Sequence, residues 1–259
     1  MKYIKTLMTA IAICAAALMT ASQASAMLTI KANHDHIDVD YNYHGSTVSV
    51  KGVSDPDVDI VVKIATEPTE QSLMRKDKVG GVIWMNVEKL HFKDVPNLYL
   101  MRSTKPVDEI LSADKRREFR IGLDAIEQTS EVEPAKDEQT AHALFGQFIK
   151  YKESRKLYSE DGVKVDMSNA GDGRNYSTIF DWPYQATPGK YEVTVYSVKD
   201  GSVVESANAE VVVEQAGAVK FLSDMARNKA VMYGVLSIAL ALMAGFGVGM
   251  VFGKGGGAH

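Results

Sequence analysis

The stretch AVMYGVLSIALALMAGFGVGMVF, Ala230 to Phe252, contains no charged residue. At a rise of ~1.5 Å per residue, about 20 apolar residues cross the hydrocarbon of a bilayer, so this run spans one with some tilt. Lys229 and Lys254 bracket it. A helix that is apolar all round, with basic flanks, suits lipid better than the core of a soluble domain. The expectation is one transmembrane helix over 230–252, and every other part of the chain must be compatible with one end in a membrane.

The other end supplies the orientation. In MKYIKTLMTAIAICAAALMTASQASA, Lys2 and Lys5 precede an apolar stretch from Leu7 to Met19, and Ala24-Ser25-Ala26 offers the small residues of a cleavage site. Residues 1–26 read as a signal peptide. An export signal followed by one stop-transfer helix puts the body on the periplasmic side of a bacterial inner membrane and the tail 253–259 in the cytoplasm. Lys220, Arg227 and Lys229 then lie outside, so the positive-inside rule alone does not give this orientation. The one cysteine, Cys14, sits within the leader, and its surroundings do not resemble a lipid-attachment site. A mature chain without cysteine has no disulfide framework and no thiolate chemistry. A net charge of −4 argues against nucleic acid as a partner.

From Ile30 to Thr66 the pattern alternates with period two. HIDVDYNY, STVSVKGV and VDIVVKIAT read as strands separated by HG and SDPD, and GGVIWMN and NLYLMRS continue in that style. After Pro106 the character changes. Pro134, early acidic residues and an apolar stripe of Ala141, Leu144, Phe145, Phe148 and Tyr151 predict a helix, with Gly162 as a stop. Strands resume with NYSTIFDWPY and GKYEVTVYSVKDGSVVESANAEVVVE, in which Asp200-Gly201 marks a hairpin. The expected fold is mainly β: an immunoglobulin-like antiparallel β-sandwich, as one unit or two abutting ones. It is built from 27–105 and 163–215 around a helical insertion at 106–162. A juxtamembrane helix at 216–229 leads to the span.

Chemistry is sparse. His34, His36, Asp38, Asp40 and His44 alternate with Ile37, Val39, Tyr41 and Tyr43. Same-side residues ~7 Å apart along a strand could share zinc or copper. A half-buried strand equally demands a polar outer face, and that reading is the simpler one. DMSNAGDGRN lacks the ligand spacing of a calcium loop and the Gly-Lys-Ser/Thr of a phosphate cradle. KRRE at 115–118 and His142 read as surface. No residue set suggests catalysis, and no cofactor is expected.

The most individual segment is MRKDKVGGVIWMNVEKLHFKDVPNLYLMRSTKPVDEI, 74–110. Trp84 and Asn86 share one strand face, with Arg75 and Lys76 before the Gly80-Gly81 turn. Such a cluster can hold an oxyanion or a partner loop, whereas a core Trp84 with Asn86 closing a turn is the plainer expectation. In the span, Ser237, Ala241, Gly245, Gly249 and Gly253 recur every fourth residue as a strip suited to close helix packing, against a permease helix or a second copy.

Arg75-Lys76, Gly80-Gly81, Trp84, Asn86, Phe92, Val95-Pro96, Tyr99 and Ser103-Thr104, with the later TPGKYEVTVYSVKDG and FLSDMARNKAVMYGVL, resemble an alphaproteobacterial-type putative transmembrane protein family of exported single-span proteins. Its members are often described beside sulfite-exporter-like permeases of the TauE/SafE type. The resemblance therefore implies a non-catalytic accessory or interaction subunit of such a transporter, and Arg75, Lys76, Trp84, Asn86 and Tyr99 become candidates for partner or anion contact. The alternative is a periplasmic metal- or ligand-binding protein using the His34–His44 strand.

Overall fold

The structure is a computed structural model in which residues 28–252 are described, apart from 34, 171 and 172. The expected leader at 1–26, His34, Gly253 and the tail 253–259 lie outside the described residues. The chain is mostly β, with three sheets that include a curled half-barrel, several helices and one long apolar C-terminal helix.

The first sheet contains β1 (Lys31–Ala32), β3 (Ser46–Ser54), β11 (Gly173–Trp182) and β10 (Asp166–Ala170), in the order β1-β3-β11-β10. The second contains β2 (His36–Val39), β13 (Ser202–Gln215), β12 (Gly189–Lys199), β4 (Asp59–Ala65), β7 (Tyr99–Ser103) and β9 (Tyr158–Asp161), in that order. Alternation decides which side chains fill the space between the sheets. Val48 and Val50 of β3, Tyr176 and Phe180 of β11, and Tyr191, Val193 and Val195 of β12 are all buried in one continuous core. Trp182 meets Tyr191 edge-on at 4.7 Å.

β4 departs from alternation, since Ile60, Val61, Val62 and Ile64 are all buried. Beside its second face lie Phe119 and Ile126, from the segment that holds α1 (Val107–Ile110), α2 (Ala113–Phe119) and α3 (Leu123–Thr129). There Phe119 stands edge-on to Tyr196, and Lys63 Nζ donates to the Phe119 carbonyl at 2.8 Å. A strand covered on both faces reads as a continuous apolar run, as IVVKI nearly does.

Two pairings correct the expectation of a purely antiparallel arrangement. β2 runs parallel to β13, and β7 runs parallel to β9. Parallel neighbours need a long crossover, and between β7 and β9 the helical segment supplies it. That segment is not wholly helical. It also holds β8 (Glu131–Glu133), and α4 (Glu138–Ser154) is capped by Asp137, which accepts from the Thr140 amide at 2.7 Å. Leu144, Phe145 and Phe148 of α4 face the core as expected, but Tyr151 is exposed and Lys152 takes the buried place.

The third sheet, β5 (Thr69–Val79), β6 (Ile83–Val95) and β8, is a long hairpin inserted between β4 and β7. Residues expected within the sandwich thus leave it. The base of the hairpin is anchored where Phe92 stacks on Phe148 at 4.4 Å. After β13, α5 (Gly217–Asn228) leads to α6 (Ala230–Phe252), in which no residue from Ala230 to Met250 is buried.

Candidate functional site

β5 and β6 pair from Thr69↔Val95 to Val79↔Ile83, and Gly80 and Gly81 close the turn at φ +64° and +77°. Both angles lie where a Cβ is strained, so glycine is the residue this turn requires. A bulge at Val87 sits between the Arg75↔Glu88 and Lys76↔Asn86 pairs. Directly opposed residues share a face, which sorts the tip. Lys76, Asn86, Lys78 and Trp84 stand on one side, with Lys78 Nζ 5.4 Å from the centre of the Trp84 ring. Asp77, Met85, Val79 and Ile83 stand on the other. Arg75 pairs with Glu88 at 3.3 Å on that second side, apart from Lys76.

Near the base, Leu90 and Phe92 are buried. Beyond the bulge no other element among the described residues covers the apolar side chains. Val82 is 81% exposed, Trp84 64% and Ile83 63%, and Met74, Val79, Met85 and Val87 are exposed as well. Trp84 is therefore not a core residue, contrary to the plainer expectation. The run VIWM reads as a buried strand, yet no layer among the described residues lies over it. Sequence reasoning missed Val79, Val82, Ile83, Met85 and Lys78 as parts of the tip. The signal was the Gly-Gly turn, which folds RKDK back against IWMN and sets Lys78 opposite Trp84.

Tyr99 is corrected in the opposite sense. It is 1% exposed, on a strand held between β4 and β9, and its hydroxyl accepts from the Gly122 amide at 2.8 Å. Burial raises its phenol above the ordinary value. It holds α3 against the sheet and cannot reach a partner alongside Trp84.

The histidine strand has the half-wet form. Ile37 is buried, while His36 and Asp38 point outward 3.1 Å apart. Among the described residues, no three His, Cys, Asp or Glu side chains stand together as a metal site. Lys152 is buried and Lys63 half-buried, and each hydrogen-bonds to neutral oxygens rather than to a carboxylate. Lys152 Nζ donates to the carbonyl and side-chain oxygens of Asn97, each at 3.0 Å, and lies over the Phe148 and Tyr158 rings. Burial lowers Lys152 and Lys63 to about 8. Both act as struts: Lys152 ties α4 to the β6–β7 turn and Lys63 ties β4 to α2.

On α6, Ala241, Gly245 and Gly249 line a shallow apolar groove with Leu242, Phe246 and Met250. Ser237 spends its hydroxyl on the Tyr233 carbonyl at 2.8 Å. A Cβ added at Gly245 or Gly249 meets nothing within 4 Å.

These features define a β-rich domain tied to one C-terminal helix long and apolar enough to cross a membrane. Over residues 27–254 the chain matches the family described as "Putative transmembrane protein (Alph_Pro_TM)", and it belongs to that family. No curated protein matches it.

Proposed function

We propose that the chain is a non-catalytic accessory or interaction subunit of an inner-membrane permease of the sulfite-exporter-like type, with its β domain in the periplasm and its C-terminal tail in the cytoplasm. The exposed hairpin tip supports the interaction role in this reading, and the small-residue side of α6 supports the permease as partner. Large apolar side chains contiguous on the surface and bordered by charge are the mark of a contact site rather than of a free surface. Lys76, Trp84 and Asn86 form one side of that contact, and Arg75 borders the other.

The domain behind the tip reads as immunoglobulin-like. Strand orders β1-β3-β11-β10 and β2-β13-β12-β4-β7-β9 correspond to A-B-E-D and A′-G-F-C-C′-C″. At the start of β12, the F position, the Tyr191 hydroxyl donates to the Thr187 carbonyl four residues upstream, the geometry of a tyrosine corner. Such a domain presents inserted loops while leaving its core untouched. Export and orientation rest on the leader pattern followed by a single span.

The permease contact is assigned to the small-residue side of α6, where close backbone approach replaces hydrophobic drive. Copurification of the tagged full chain from mild detergent tests this. A permease is expected to follow it, and Gly245→Leu with Gly249→Leu should release the permease while the chain stays in the membrane fraction. A chain that comes out alone, or a permease that the double variant retains, contradicts the assignment.

A further inference from the structure

What covers the hairpin tip is indicated by where the hairpin leaves the domain. β13 ends at Gln215 and passes through Ala216 straight into α5 and α6, so its C-terminal end faces the bilayer. Val213 near that end pairs with Gly189 of β12, and Glu192 of β12 pairs with Ala65, the last residue of β4. β4 therefore finishes at the same end. β5 starts after a three-residue link, and β6 returns to Tyr99, which also pairs with Ala65. The hairpin springs from the bilayer-facing end of the domain.

Its reach is sufficient. The 12 residues of α5, standing upright, hold the domain at most ~18 Å from the membrane, whereas an 11-residue strand such as β5 extends ~36 Å. α5 itself leaves Phe221 and Leu222 exposed, as an amphipathic helix lying in the interface does, and in that posture the gap shrinks further.

Charge agrees. The chain is net −4, yet residues 75–89 carry four basic side chains and two acidic ones, and one of those acids is engaged by Arg75. Tryptophan with lysines on the same face suits the boundary between headgroups and acyl chains. The ring sits at headgroup level, and the lysine stems lie along apolar surface while their ammonium groups reach anionic phosphates.

We propose that the tip is a second membrane contact, in which Val82, Ile83, Trp84 and Met85 enter the interface of the bilayer that holds α6, and Lys76 and Lys78 engage anionic lipid headgroups. The proposal rests on reading the hairpin as a contact surface and names the bilayer as what the tip meets. The domain is then pinned at two points, which fixes its tilt over the membrane.

The test uses the full chain with Cys14→Ser and a single Val82→Cys carrying an environment-sensitive fluorophore. It is reconstituted at one chain per nanodisc of phosphatidylethanolamine and phosphatidylglycerol. Emission should shift to the blue and be quenched by nitroxide-bearing lipid, while the same label at Val204→Cys, on the distal part of β13, responds only to aqueous iodide. Lys76→Glu with Lys78→Glu should remove most of the lipid quenching while circular dichroism stays unchanged. Equal iodide quenching at 82 and 204 overturns the proposal, as does shielding of position 82 that requires two chains per disc. Because these discs contain no permease, loss of lipid contact here and loss of permease in the copurification are independent results. A chain that keeps the permease with Ile83→Ser and Trp84→Ser, yet loses lipid quenching, separates the two.

Discussion

Trp84 and Trp182 are the only tryptophans in the chain, and their surroundings give them opposite roles. Trp182 is buried against Tyr191, while Trp84 stands in the open beside Lys78. Trp84→Ala and His36→Ser should each change folding stability by less than ~0.5 kcal/mol, the surface scale. Phe92→Ala, which removes the stacking partner of Phe148, should cost ~3–5 kcal/mol. Chemical denaturation of the three variants in detergent checks this, and a Trp84→Ala loss as large as that of Phe92→Ala contradicts the placement. Lys152, the half-buried Lys63 and the buried phenols predict a pH profile. Burial lowers Lys63 and Lys152 to about 8 against an ordinary 10.5, so between those values the unfolded chain binds protons that the folded chain does not, and stability rises with pH. Burial raises Tyr99 and Tyr158 above their ordinary 10.0, so above that pH the unfolded chain releases protons first and stability falls. Melting temperature in detergent should climb from about pH 8 and turn down beyond about pH 10. A steady fall across that range refutes the lysine assignment.

At the scale of elements, the sequence was most legible where one face of a strand is wet. Alternation identifies β3 and β13, and Asp200-Gly201, both at positive φ, makes the turn its composition demands. The stripe on α4 was legible for the same reason, except at its last turn, where Lys152 displaces Tyr151 from the core. The hairpin was not legible as a projection. A run such as VIWM has the same pattern whether a second layer covers it or not, and only the tertiary arrangement decides. Likewise the segment holding Arg75, Lys76, Trp84 and Asn86 stood out in the sequence. The bulge at Val87, which puts Asn86 and Glu88 on opposite sides although they are two residues apart, left no trace there. Nor did the parallel partners of β2 and β9, which are distant in sequence. The anchoring of the hairpin at Leu90 and Phe92 predicts that its tip is dispensable for folding. Replacing residues 77–85 with Asn-Gly, which joins the Lys76↔Asn86 pair through a two-residue turn, should leave stability within ~0.5 kcal/mol of the parent. If the shortened protein unfolds in the parent's native range, the tip belongs to the fold rather than to a contact.

For the whole molecule, the proposal rests on three features at one end of the β domain: α6, long and apolar enough to cross a membrane, α5 with its exposed apolar side, and the base of the hairpin. Residues 75–89 are net basic in a chain of net charge −4, and such an asymmetry favours one docking posture over tumbling about a flexible tether. The family match covers the domain and the span together, so the two are read as one functional unit. The central claim is that the domain lies outside the inner membrane with its hairpin tip engaged, and thiol accessibility in cells tests it most directly. Cells with a permeabilised outer membrane, expressing the chain with Cys14→Ser and either Val204→Cys or Val82→Cys, are treated with a membrane-impermeant maleimide. The account predicts that position 204 is labelled at once and position 82 only after detergent dissolves the membrane. Labelling of neither position before the membrane is dissolved would place the domain inside the cell, and equal labelling of both would leave the hairpin free in solvent; either result contradicts the account.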